Sequence, residues 1–321
     1  MAHLETVRGP IDTGELGTTL MHEHVFVLTA DVQANVPGIW DEEERVADAI
    51  AKLQLMADIG IKSIVDPTVI GLGRYIPRIQ RINEHVDINI VVATGIYTYD
   101  SVPFYFRTRF AREGGADPMV DMFVRDITQG IADTGVKAGL LKCAVDELGL
   151  TPGVERILRA VAGAHRMTGT PITVHTHPET ERGFEVARVL IEEGADPRRV
   201  VLGHSGDSQD ADQLQELAEM GFLLGMDRFG LDYAITAEQR AQMVIELCRR
   251  GLSKSMVLSH DTSCHIDWVD DGVRDMFMPN WHYAHIHQHV LPALREGGVA
   301  EEQIEDMLVG NPRRYFEAAD A

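Results

Sequence analysis

Short β-branched apolar segments alternate with amphipathic ones along the whole chain, and this alternation restricts the fold more than any other feature. The run Thr-Thr-Leu-Met-His-Glu-His-Val-Phe-Val over residues 18–27 reads as the first strand. Seven more follow at residues 61–66, 88–94, 138–145, 172–175, 200–204, 222–226 and 255–259. Between them, apolar residues recur at helical spacing over 43–59, 154–167, 181–193, 210–220 and 238–249. Gly60, Gly169, Gly194, Gly221 and Gly251 stand just past these segments, where a helix ends most easily on glycine. Eight strand–helix units without a linker predict a (β/α)8 TIM barrel, a single domain over residues 1–321. A doubly wound sheet is the alternative, but no Gly-x-Gly-x-x-Gly turn follows the first strand.

Charge and composition remove several function classes. A net charge of −21 disfavours nucleic acid and anionic membrane surfaces as partners. No run approaches the roughly 20 apolar residues that span a bilayer, and the first residues lack the basic-then-apolar pattern of a secretory signal. Three cysteines, Cys143, Cys248 and Cys264, do not make a disulfide framework and suit a reducing cytoplasm.

In a (β/α)8 barrel the active site lies at the C-terminal ends of the strands. Those ends carry His22 and His24, then Lys142, His175, His204 and Asp261. Residues two apart in a strand share a face, so the His22–His24 pair offers half of a tetrahedral metal site. A single strand-end histidine says little, whereas six candidate ligand residues at five strand ends point to a metal centre. Lys142 is the odd member, because an unpaired ammonium in an apolar strand is costly to bury. Either its head reaches water, or divalent cations depress its pKa and the free amine takes up carbon dioxide as a carbamate. A carbamate carries two oxygens and can bridge two metals.

This set, running from Gly17-Thr-Thr-Leu-Met-His22-Glu-His24 to Gly310-Asn-Pro-Arg-Arg-Tyr-Phe316, resembles the phosphotriesterase family of the amidohydrolase superfamily. The resemblance implies that His22, His24 and Asp261 hold one divalent metal and that His175 and His204 hold a second. Lys142, as N6-carboxylysine, and a hydroxide would bridge the two. Zinc, iron, cobalt and manganese all suit such donors. The resemblance leaves His177 outside the ligand set and turns His260 to the other side of its strand. His282, His285, His287 and His289, away from the strand ends, are assigned to packing or solvent.

Within the family, Gly95-Ile-Tyr97-Thr and Met226-Asp-Arg228-Phe look like the lactonase branch, as does Asp261-Thr-Ser-Cys-His-Ile-Asp-Trp268. There the tyrosine would point at the metals and contact the lactone, and the arginine would hydrogen-bond near it. Trp268, Trp281 and Cys264 would line an apolar channel for an acyl chain. The implied reaction is lactone opening by the bridging hydroxide, with Asp261 moving the proton to the leaving alkoxide and Tyr97 assisting. N-acyl-homoserine lactones are the expected substrates, a quorum-quenching activity, with organophosphate triesters as a side reaction. The alternatives are a primary phosphotriesterase (aryldialkylphosphatase) and another amidohydrolase acting on cyclic esters or amides, such as a mononuclear enzyme with no need of Lys142. The family also implies a homodimer.

Overall fold

A computed structural model describes residues 2–317 apart from 37, 111–114, 179, 181 and 234. The chain opens with an antiparallel hairpin, β1 (His3–Thr6) and β2 (Gly9–Asp12). Eight parallel strands follow in one sheet: β3 (Thr19–Leu20), β5 (Ser63–Asp66), β6 (Asn89–Gly95), β7 (Leu140–Val145), β8 (Ile172–Thr176), β9 (Val200–Gly203), β10 (Leu223–Met226) and β11 (Met256–Leu258). Their spatial order is their chain order, the up-and-around path of the expected barrel. Each expected strand is present, with ends moved by one or two residues, apart from the first.

That first strand is broken. β3 ends at Leu20, and a separate β4 (His24–Val27) pairs in parallel with β12 (Ser263–Ile266), which sequence reading had as loop. The barrel closes across this break by irregular bonds. Met21 N–H reaches Leu258 O at 3.4 Å, Asp261 N–H reaches His22 O at 3.0 Å, and His24 N–H reaches Thr262 O at 2.8 Å.

Two apolar layers follow from the pleat. Inward side chains, among them Val65, Val91, Leu140, Val201, Leu223 and Val257, fill the barrel. Leu4 of the hairpin and Tyr315 and Phe316 near the C-terminus join that interior cluster. Outward side chains such as Ile64, Ile90, Leu141, Val174, Leu202 and Leu224 pack under the helices. The helices are capped as their sequences indicate. Thr151, Asp210 and Thr236 accept backbone N–H groups at N-termini, and Gly169 ends Pro152–Thr168 in the left-handed conformation. Two late turns are π-helical, Ile286–Val290 and Asp306–Gly310, and each is followed two residues on by a proline, Pro292 and Pro312. A proline inside a continuing helix gives no N–H to the carbonyl four residues back and crowds it, so the preceding turn widens.

Candidate metal centre and active site

The register of the sheet brings the six strand-end residues together. Lys142 stands beside Gly95, Ala144 beside His175, and His175 beside Gly203, which leads to His204. Gly95 is required there: its φ is +149°, and a Cβ would lie 1.8 Å from Lys142 O. His204 and Asp261 themselves take left-handed conformations, φ +65° and +53°, which turn their side chains inward just past the strand ends.

His22 Nε2 lies 3.3 Å from Asp261 Oδ1 and 3.3 Å from Lys142 Nζ, and His24 Nε2 lies 3.4 Å from the same Asp261 oxygen. Metal–nitrogen bonds of 2.0–2.1 Å give a tetrahedron with edges of about 3.3 Å, so these are the separations of donors around one ion. On the other side of Lys142, His175 Nδ1 and His204 Nε2 are 2.8 Å apart. All six residues wall one cavity of about 300 Å³.

What lies behind the imidazoles decides which nitrogen is free. His22 Nδ1–H donates to Asp227 Oδ2 at 2.8 Å, and His204 Nδ1–H donates to the other oxygen of Asp227 at 2.9 Å. His24 Nδ1–H donates to Thr68 Oγ1 at 2.7 Å, and His175 Nε2–H donates to Asp146. Each outer nitrogen is thus held as a donor, so the inner nitrogen of each ring is the one offered to the cavity. Lone pairs converging at 2.8–3.4 Å repel unless a cation or proton lies among them, so the donor set fits metal ions. His22, His204 and Asp227 also lie close enough to form a ligand triplet, as do His22, His24 and Asp261. Asp227 faces Nδ1 atoms and also accepts His204 N–H, so it orients ligands rather than serving as one.

The electrostatics favour a neutral ring at three of the four imidazoles. Burial, reinforced by Lys142, lowers the pKa of His22; burial takes His175 down to about 4 despite Asp146, and with Arg228 holds His204 well below its ordinary value. Burial also disfavours charge on His24, but Asp261 and Asp66 outweigh it and push His24 up to about 9. Lys142 is buried and reduced to about 8 by desolvation, which Asp261 and Asp227 only partly offset. Burial opposes ionisation of Asp261 as well, yet His22, His204, His24 and Arg228 keep it well below the usual carboxylate range.

Tyr97 and Arg228 also line this cavity. The Tyr97 hydroxyl lies 3.4 Å from His175 Nδ1 and pairs with Tyr99, and burial with Tyr99 raises its pKa well above the usual phenol value. Arg228 donates to Asp261 Oδ2 and to Asp207 Oδ2, both at 3.3 Å. Trp268 stands at the mouth, 55% exposed, and Trp281 lines the wall while its Nε1–H holds His260 O at 2.8 Å. Cys264 does not line the channel: it points away from the cavity into the outer core, with Sγ 3.3 Å from the Tyr283 hydroxyl. Its neighbour Ser263 lines the cavity instead.

Sequence reading missed Asp227, Asp146, Tyr99, Thr68 and Glu23. Asp146 and Asp227 each directly follow the last residue of a strand, β7 and β10, so the strand-end rule applied to every polar residue would have found them. Glu23 was legible as a lone charge inside an apolar run.

Comparison with known proteins places the whole chain. The model of the "Phosphotriesterase family" matches residues 2–316. A "Phosphotriesterase homology protein" of Mycobacterium tuberculosis is 56% identical over 320 residues, 99% of this chain and 98% of that one. An "Aryldialkylphosphatase" of Saccharolobus solfataricus is 36% identical over 308 residues, 95% of this chain and 96% of that one. A solved structure titled as the phosphotriesterase from Mycobacterium tuberculosis superposes with a TM-score of 0.95 at 55% identity, covering 98% of both chains.

Proposed function

The chain belongs to the phosphotriesterase family and is a metal-dependent hydrolase; from that premise we propose that it opens lactone rings, with N-acyl-homoserine lactones as its substrates. One observation carries the reading: the cavity that gathers the metal-ligand groups is also lined by large apolar side chains. Beside the histidines, lysine and aspartate stand Leu72, Leu231, Ile266, Trp268, Val269 and Met278. A polar ring with an apolar tail fits that mixed lining.

His22, His24 and Asp261 would hold one ion and His175 and His204 another, with Lys142 between them as the carboxylated bridge. Zinc, iron, cobalt or manganese would serve. When bound, such ions lower the pKa of water and polarise a carbonyl. The chain's own groups then have separate tasks. Tyr97, kept protonated by burial, donates its O–H to an oxygen of the lactone. Asp261 Oδ2, the oxygen turned toward Arg228, takes the proton of the attacking water and returns it to the departing alkoxide. Arg228, fixed on its far side by Asp207, keeps that carboxylate aimed and ionised. The same reading makes the protein a homodimer of a reducing cytoplasm, in keeping with three free, buried cysteines.

The name of the Saccharolobus relative favours a second reading, a primary phosphotriesterase. The two separate by kcat/KM on the metal-loaded protein. A long-chain acyl-homoserine lactone should exceed an aryl dialkyl phosphate; the reverse order selects the triesterase.

A further inference from the structure

Two stretches from distant parts of the chain wall the cavity of the metal centre. Leu231 and Tyr233 follow β10, and Met278 and Trp281 follow the helix Asp271–Phe277; all four line the cavity. A polar residue stands within each pair, Asp232 in the first and Asn280 in the second. These two bond each other: Asn280 Nδ2–H donates to Asp232 Oδ2 at 3.0 Å. The backbones meet at the same place. Gly230 has φ +92°, and a Cβ there would lie 2.1 Å from Asn280 O and 3.0 Å from Trp281 Cα. Glycine is what lets the stretches approach so closely.

Each stretch is also tied to the barrel on its own side. Asp232 Oδ1 accepts Arg240 Nη1–H at 3.4 Å, and Arg240 is buried. The same guanidinium gives Nε–H to Asp207 Oδ1 at 2.6 Å and Nη1–H to Ile235 O at 3.1 Å. Asp207 in turn holds Arg228, so one buried arginine braces both the cavity wall and the groups that aim Asp261. Across the gap, Trp281 is held through Nε1–H to His260 O at 2.8 Å, and its carbonyl accepts Thr262 Oγ1–H at 3.1 Å. The Asp232–Asn280 bond is the side-chain link between these two anchored walls.

We propose that Asp232 and Asn280 form a latch that sets the spacing of the two walls and thereby the length of acyl chain the cavity accepts; the substrate class rests on the lactone reading. Both are positioning residues that act through Leu231, Tyr233, Met278 and Trp281. Dispersion contacts fall off steeply, and a radial gap of about 0.5–1 Å forfeits a quarter to a half of each. A small separation of the walls is therefore felt along an acyl chain and hardly at the ring.

The test is steady-state kinetics of the metal-loaded enzyme on butanoyl- and dodecanoyl-homoserine lactone. Asn280→Asp sets two carboxylates face to face and should raise KM for the long chain about fivefold, with kcat and the short-chain values within about twofold of wild type. Combining Asp232→Asn with Asn280→Asp keeps the bond, the acceptor for Arg240 and the net charge, and should restore the long-chain KM. An unchanged long-chain KM in Asn280→Asp, equal losses on both chain lengths, or no recovery in the exchanged pair would overturn the latch. A wild type that hydrolyses aryl dialkyl phosphates and no lactone removes the lactone reading alone. The same KM pattern is then sought between dimethyl and dibutyl aryl phosphates, and its absence there overturns the latch as well.

Discussion

Each imidazole of the centre is useful only because something behind it has fixed its proton. One carboxylate, Asp227, does this for His22 and His204 together and so ties one side of the centre to the other. Metal-free, two groups still carry protons that binding must expel: His24, pushed up to about 9, and Lys142, held near 8. A metal ion competes with the first proton, and carbamate formation competes with the second. Both act in one direction, since raising pH removes the competitor. Metal affinity of the apoprotein in bicarbonate should therefore rise from pH 7 to about 9, by roughly tenfold per pH unit for each proton released, and then level off. Chelator-competition titrations would measure it; a profile flat over that range would refute the protonation of both groups.

At the level of elements, the weak point of the barrel is the join between its first and last strands, where the ladder is broken. Glu23 holds that join. Its Oε1 accepts Ser259 Oγ–H at 2.8 Å, His260 N–H at 2.8 Å and His260 Nδ1–H at 2.6 Å, and its Oε2 accepts Thr262 N–H at 3.3 Å. These donors flank Asp261, whose left-handed backbone is thereby clamped from both sides. Removing a fully buried carboxylate leaves several donors unsatisfied, so Glu23→Ala should lose about 3–5 kcal/mol of stability. Glu23→Gln, which keeps one accepting oxygen, should lose less. Urea unfolding of the two variants compares them, and equal midpoints for Glu23→Ala and wild type would remove the clamp from the account. The helices needed no such device. Their apolar spacing and glycine stops were readable because helix signals are local, while β4 and β12 were not, because they exist only through each other.

For the whole molecule, the proposed function gives the chemistry to the barrel and substrate recognition to the segments beyond its strand ends. Tyr233 and Trp268 are exposed on the segments after β10 and β12, and Met276 and Phe277 are exposed on the helix Asp271–Phe277 that follows. Trp268→Ala should lower kcat/KM for long-chain lactones several-fold and leave short-chain ones nearly unchanged. Equal losses on both would place the tryptophan in loop packing instead. The sequence by itself determined the eight-unit architecture, because period-two and period-3.6 patterns are written in neighbouring residues. It also determined the six strand-end residues, because a barrel makes strand ends meet. Tertiary structure alone decided which nitrogen of each histidine faces inward, that Arg228 holds the carboxylates of Asp261 and Asp207, and that Cys264 lies behind the wall. Those outcomes depend on hydrogen bonds between residues distant in the chain, 205 positions apart for His22 and Asp227, and local pattern carries no record of them.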